Sequence, residues 1–231
     1  MRTVRLWCAA AWAICAKDLR TEFRTRYALS AIGLFAVTTL TVISFSLGPL
    51  GLERDLLGAL LWVVLFFSAM AGLSRTFVHE EEAHTAPALR LAASPGAVYM
   101  GKFLFNLLLL LALEAVVLPL FVVLMGLEVG HPGAFFLALA LGDLGLSGVT
   151  TVVAAMVAQA GARSALFTVL SFPLLLPLLV SSIEGTRLAL EGKDIGTVWP
   201  SLQVLLAYAV AMITAALLLF PLIWASPTRS R

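Results

Sequence analysis

Six apolar runs, each near twenty residues long, constrain this chain more than any other feature: 27–47, 56–73, 103–125, 134–160, 165–182 and 202–224. A helix needs about 20 apolar residues to cross the hydrocarbon core of a bilayer. Lipid offers no partner to backbone N–H and C=O groups, so each run must satisfy its own backbone as a helix. The runs are continuous rather than alternating, which excludes a transmembrane β-barrel. Composition agrees: 61% of residues are hydrophobic and 12% charged, against about a quarter charged in a soluble domain. An ordinary cytosolic enzyme, a disordered chain and a disulfide-stapled module are thereby excluded. Residues outside the runs are too scattered for a second soluble domain. Residues 1–231 are therefore expected to form one all-α integral membrane domain with six transmembrane helices. The run 134–160 must tilt or protrude, and Pro173 and Pro177 are expected to kink or break the fifth helix.

Basic residues mark the cytoplasmic side of membrane helices. Arg2, Arg5, Lys17, Arg20, Arg24 and Arg26 precede the first run, and Arg75, Arg90 and Lys102 lie between the second and third. Arg163 lies between the fourth and fifth, and Arg229 and Arg231 follow the sixth. These twelve share one side, and Arg54, Arg187 and Lys193 lie on the other. Both termini and the longest connection are therefore expected in the cytoplasm. The net charge of +2 gives no case for nucleic acid as a partner. Arg2 and Arg5 ahead of 6–16 have the outline of a signal peptide. Trp7 and Trp12 inside that stretch, and the dense charges after it, argue against cleavage.

The stretch 6–16 is too short to span but suits the membrane interface. The segment 17–26 follows as a second piece, with Lys17, Asp18, Arg20, Glu22 and Arg24 at headgroup level. Either this is a generic basic anchor, or it is an elbow helix that offers those charges to lipid and to a cytosolic partner. In the connection 74–101, Glu80, Glu81 and Glu82 precede Thr85, Pro87, Leu89, Arg90, Leu91 and Pro95. Thr85 or Ala86 can cap a helix with Pro87 in its first turn, where a missing N–H costs nothing. Pro95 limits that helix to about two turns. It would present Leu89 and Leu91, with Arg90 between them, to a groove in a cytosolic partner; the alternative is a solvated loop. His79 and His84 flank the glutamates, but three consecutive side chains point different ways around a helix. No metal site is assigned.

Only Glu114 and Asp143 carry charge within the runs. Carboxyls inside a membrane are costly and are functional candidates. Their spans are consecutive and antiparallel, so the two can meet. They serve either as interhelical hydrogen bonds that fix packing or as part of a proton or substrate pathway. Gly142, Gly145 and Gly148 permit close helix approach, within the bundle or across a dimer seam. Cys8 and Cys15 read as packing residues. Gly96 to Lys102 spells G-x-x-x-x-G-K, but Phe103 stands where a P-loop needs Ser or Thr, and no strand precedes it. Any ATP must therefore be hydrolysed by another subunit. No His or Cys lies within a run to ligate haem. His131 stands at the outer end of the fourth span, and no catalytic triad is visible. The outer connection 183–201, with Trp199 and Pro200, has room for a short re-entrant or surface helix.

Several of these residues form an ordered series. Lys17, Asp18, Leu19, Arg20, Glu22 and Arg24 open it, and Trp62 and Phe67 follow in the second span. Glu80, Glu81 and Glu82 come next, then Tyr99, Gly101, Lys102 and Asn106, then Glu114 with Pro119, the three glycines, and Pro173 with Pro177. The series resembles the CcmB family, the haem exporter B permeases of c-type cytochrome maturation; Asp143 lies outside its pattern. The resemblance implies an ABC-2 type exporter permease in the bacterial inner membrane, with an elbow helix and a coupling helix on the first cytoplasmic loop. It implies a non-catalytic subunit that binds no cofactor directly. Haem is handled by the complex, and ATP and Mg²⁺ are bound by a CcmA-like ATPase. The implied partners are that ATPase, CcmC-like and CcmD-like membrane subunits, a CcmE-like haem chaperone and a second copy of this chain. The implied work is to couple ATP hydrolysis to release of the haem-loaded chaperone or to haem export. Three rivals remain: an ABC permease exporting a lipid or drug, an ion-coupled secondary transporter using Glu114 and Asp143, and a passive membrane scaffold. The missing inverted repeat argues against the second.

Overall fold

The computed structural model describes residues 2–47, 54–74, 76–77, 80, 85–159 and 164–225, and the side chains of these except 2, 3, 27, 47, 54, 55, 164–168 and 225. Among the described residues every regular element is a helix: α1 (Arg2–Thr25), α2 (Tyr27–Leu47), α3 (Arg54–Leu73), α4 (Ala86–Ala92), α5 (Pro95–Met125), α6 (Pro132–Gln159), α7 (Ser164–Leu190) and α8 (Ile195–Ala225). All but α1 and α4 are long and apolar enough to cross a membrane, six in number. The all-α membrane fold read from the apolar runs is therefore the fold observed.

The segment before the first span is one continuous helix rather than two pieces. Its buried face, Ala11, Ile14, Cys15, Asp18 and Glu22, packs on α5, while Leu6, Trp12 and Phe23 are exposed. The elbow is a single residue: Arg26 has φ 53°, and Glu22 Oε1 accepts the N–H of Leu29 at 2.9 Å. This fills one of the donors that the start of α2 leaves orphaned.

Three boundaries differ markedly from expectation. α5 starts at Pro95, not at 103, because Lys102 is satisfied inside the protein and need not end the helix. The outer connection also shrinks. α7 runs on to Leu190 and α8 starts at Ile195, so 183–201 holds no separate re-entrant or surface helix. Arg187 bridges Glu184 at 2.7 Å and Glu191 at 2.6 Å on that extension. Such i,i+3 and i,i+4 pairs support a helix beyond its apolar run. Pro173 and Pro177 do not break α7. The hydroxyl of Tyr208 donates to Leu174 O, next to the carbonyl that Pro177 leaves without its helical donor.

α6 is the central helix, packed on α5, α7 and α8. Its three glycines serve the bundle and face different neighbours. A Cβ on Gly142 would collide with the Trp62 ring, one on Gly145 with Leu178, and one on Gly148 would lie 3.1 Å from Ile213.

Candidate functional site

Two buried clusters of charge stand out. The first gathers around Lys102 on α5, which is 2% exposed. Its Nζ lies 2.5 Å from Glu80 Oε1 and 2.9 Å from Asp18 Oδ2, and donates to Thr76 O at 2.9 Å. The half-exposed Lys17 reaches the same two carboxylates, at 2.7 Å to Glu80 and 3.0 Å to Asp18. Two cations thus balance two anions, and the Phe77 ring lies 5.4 Å from Lys102 Nζ. Burial of an ion is repaid only by such close geometry. Burial works against ionised Glu80, but the Lys102 ammonium, its hydrogen bond and Lys17 outweigh this and hold the carboxyl below its ordinary value. Burial likewise opposes charged Lys17, yet Asp18 and then Glu80 raise it. The cluster joins α1, the segment after α3, and α5.

The cluster changes the reading of several expected site residues. Glu80 points inward rather than toward a partner, because Lys102 claims it. Glu81 and Glu82, with His79 and His84, lie outside the described residues. Of the elbow charges, Arg20 and Arg24 are exposed, while Asp18 and Glu22 are turned inward by Lys102 and by the Leu29 amide. Sequence reasoning treated Lys102 as one more cytoplasmic cation. The signal that marks its deeper role is Asn106, one turn further along the same helix face.

α4 spans seven residues, with Thr85 at its N-cap and Pro87 in its first turn. The Thr85 N–H donates to Glu80 O at 2.9 Å, which ties the base of α4 to the ion cluster. Leu89 packs against the core instead of being presented. Arg90 sits 5.0 Å over the Trp224 ring. Leu91 alone of the two leucines projects, 91% exposed.

A buried polar ladder leads from this cluster into the bundle. Thr76 Oγ1 donates to Asn106 Oδ1 at 2.7 Å, Asn106 Nδ2 to Thr151 Oγ1 at 2.8 Å, and Thr151 Oγ1 to Ser147 O at 2.6 Å. One turn beyond Ser147 on α6 stands Asp143, which faces Glu114 of α5. These two carboxyls form the second cluster. Since α5 begins early, Glu114 lies past its midpoint. On the far side, Trp62 Nε1 donates to Thr186 Oγ1 at 2.9 Å, and its ring covers Gly142. Among the described residues no three His, Cys, Asp or Glu come together as a metal site requires. His131 Nδ1 accepts the Ala134 N–H at 3.2 Å and so caps α6.

A family model described as CcmB protein matches residues 9–227, nearly the whole chain. The chain belongs to the CcmB family. No curated protein matches it. CcmB proteins are membrane components of the haem-exporting ABC system of cytochrome c maturation. With six apolar helices, this CcmB chain is a multi-pass membrane protein. Its Lys102 cluster uses residues from three segments of the family series: the charged opening, the acidic segment and the entry to the third span.

Proposed function

We propose that this CcmB chain is the non-catalytic permease subunit through which a CcmA-like ATPase acts on haem handling. The work done is release of the haem-loaded CcmE-like chaperone from CcmC-like and CcmD-like partners, or export of haem. Both termini and α4 face the cytoplasm of a bacterial inner membrane, and two copies sit in the complex. Haem, ATP and Mg²⁺ are bound by other subunits. α1 lies in the interface, with Trp12 and Phe23 toward lipid and Arg20 and Arg24 at the headgroups or against the partner.

The observation that supports this most is the construction of α4. A short helix held between two spans carries one large apolar side chain that projects fully, Leu91. Its base is bonded to Glu80, which grips α5 through Lys102 and the elbow through Lys17. A push on α4 by the ATPase would therefore move α1 and α5 together. Leu91→Glu in the complete complex tests this. ATP hydrolysis should persist while c-type cytochrome maturation falls; unchanged maturation would sink the coupling role. Charge reversal at Glu81 and Glu82 probes the rest of the segment, whereas reversal at Glu80 would disrupt the ion cluster.

A further inference from the structure

We propose that Glu114 and Asp143 form a proton-binding site inside the bundle, holding one proton between their carboxyls and exchanging it on the α4 side. That side is the cytoplasm on the reading above; the site itself does not depend on that reading. Asp143 is 1% exposed and Glu114 7%. Both carboxyls are buried, and each is the side-chain partner of the other. Titratable groups on the neighbouring elements are engaged elsewhere. Lys102 belongs to the ion cluster, Tyr99 donates to Gly148 O, and Tyr208 donates to Leu174 O. Glu184 and Arg187 pair with each other near the end of α7. Among the described residues no cation balances the pair, and two adjacent carboxylates in a water-poor interior cannot both stay ionised. One acid O–H donated to the other carboxylate makes a charge-assisted hydrogen bond, and a proton needs no cavity.

A second observation points to the same place. Both oxygens of Asp143 and Glu114 Oε1 are buried without a hydrogen-bond partner, and so is Ser147 Oγ. Ser147 is fully buried one turn from Asp143, on the same face of α6. Thr151 donates to the Ser147 carbonyl, and Asn106 and Thr76 continue the polar ladder to Lys102. In the other direction Trp62 closes over Gly142, and the next inward residues of α5 are Val117 and Phe121. Exchange therefore runs toward α4. Loss of the proton would set two like charges face to face and loosen α5 from α6.

Infrared spectra of the complete complex in lipid bilayers at neutral pH test the site. The expected result is a protonated-carboxyl C=O band that shifts in D₂O and vanishes in the E114Q/D143N double variant. Absence of the band in the unaltered complex, or its persistence in the double variant, overturns the proposal. Should the double variant fail to assemble, Glu114→Asp retains both carboxyls and must move the band; an unmoved band also overturns it. For the route, Thr151→Val should slow the D₂O shift roughly tenfold by removing one hydrogen-bonding hydroxyl, while Thr186→Val leaves the rate unchanged. Equal rates in the two variants overturn the route. None of these readouts uses ATP hydrolysis or haem release, so failure here and failure of the coupling role are separable.

Discussion

The Lys102 cluster and the Glu114–Asp143 pair are both buried, and one polar ladder leads from the first to within a turn of the second. They differ in that the first holds its own cations. Lys102 and Lys17 balance Glu80 and Asp18 within 3.0 Å, and the half-exposed Lys17 keeps one edge near water. The second lies deeper, between α5 and α6, and the one cation of those two helices, Lys102, is already held by the first. A charge near the end of a membrane helix can thus be neutralised by a long side chain reaching inward, whereas one further along must find a proton or a polar neighbour.

The strongest way to break this contrast is to remove the cation from the balanced cluster. Lys102→Met leaves Glu80 and Asp18 buried with only the half-exposed Lys17 to balance them, and should destabilise the protein by about 3–5 kcal/mol, measured by unfolding in detergent. The same variant tests the pH dependence. Glu80 sits below its ordinary value of 4.5, so its contribution is complete above that value and is lost as pH falls through the lowered folded value. Lys17 sits above its ordinary value of 10.5, so its contribution is complete below that value and is lost as pH rises through the raised one. Melting temperature against pH should show an acid limb in the unaltered protein that is flattened in Lys102→Met. An unchanged acid limb would separate Glu80 from Lys102.

A smaller effect is expected from separating the helices that the cluster joins. A Cβ on Gly101 would lie 2.7 Å from Ala11 O and 2.8 Å from Ile14 Cβ, where α1 crosses α5. Gly101→Ala should cost about 1–3 kcal/mol through overpacking and raise protease access to α1. Protection of α1 equal to the parent would show that the crossing gives way more easily than these distances imply. The smallest effect belongs to the unbalanced pair. Replacing both partners by amides, E114Q with D143N, should change stability by about 1 kcal/mol or less, because no compensated charge is lost. A loss as large as that of Lys102→Met would erase the distinction between the two clusters.

Much of α4 was legible in the order of residues: Thr85 as cap, Pro87 in the first turn and Pro95 beyond its end are local signals, and the helix Ala86–Ala92 fits between them. The start of α5 was not, because a charged Lys102 reads as the end of an apolar run unless its partners are known. The end of α7 was missed for the same reason, since Glu184, Arg187 and Glu191 look like a polar connection until they pair along a helix. Glu80 read as a docking residue because its sequence neighbours are acidic and nothing nearby in the chain neutralises it.

Six membrane helices, a short helix between the second and third, and the two lone carboxyls within spans follow from the sequence by itself. Helix formation in lipid is a local requirement, met by each segment's own backbone. Which of the charges outside the apolar runs lie inside was decided only by tertiary structure. Lys17, Glu80 and Lys102 are separated by long stretches of chain, and the balance between burying an ion and pairing it exists only once those stretches are packed together.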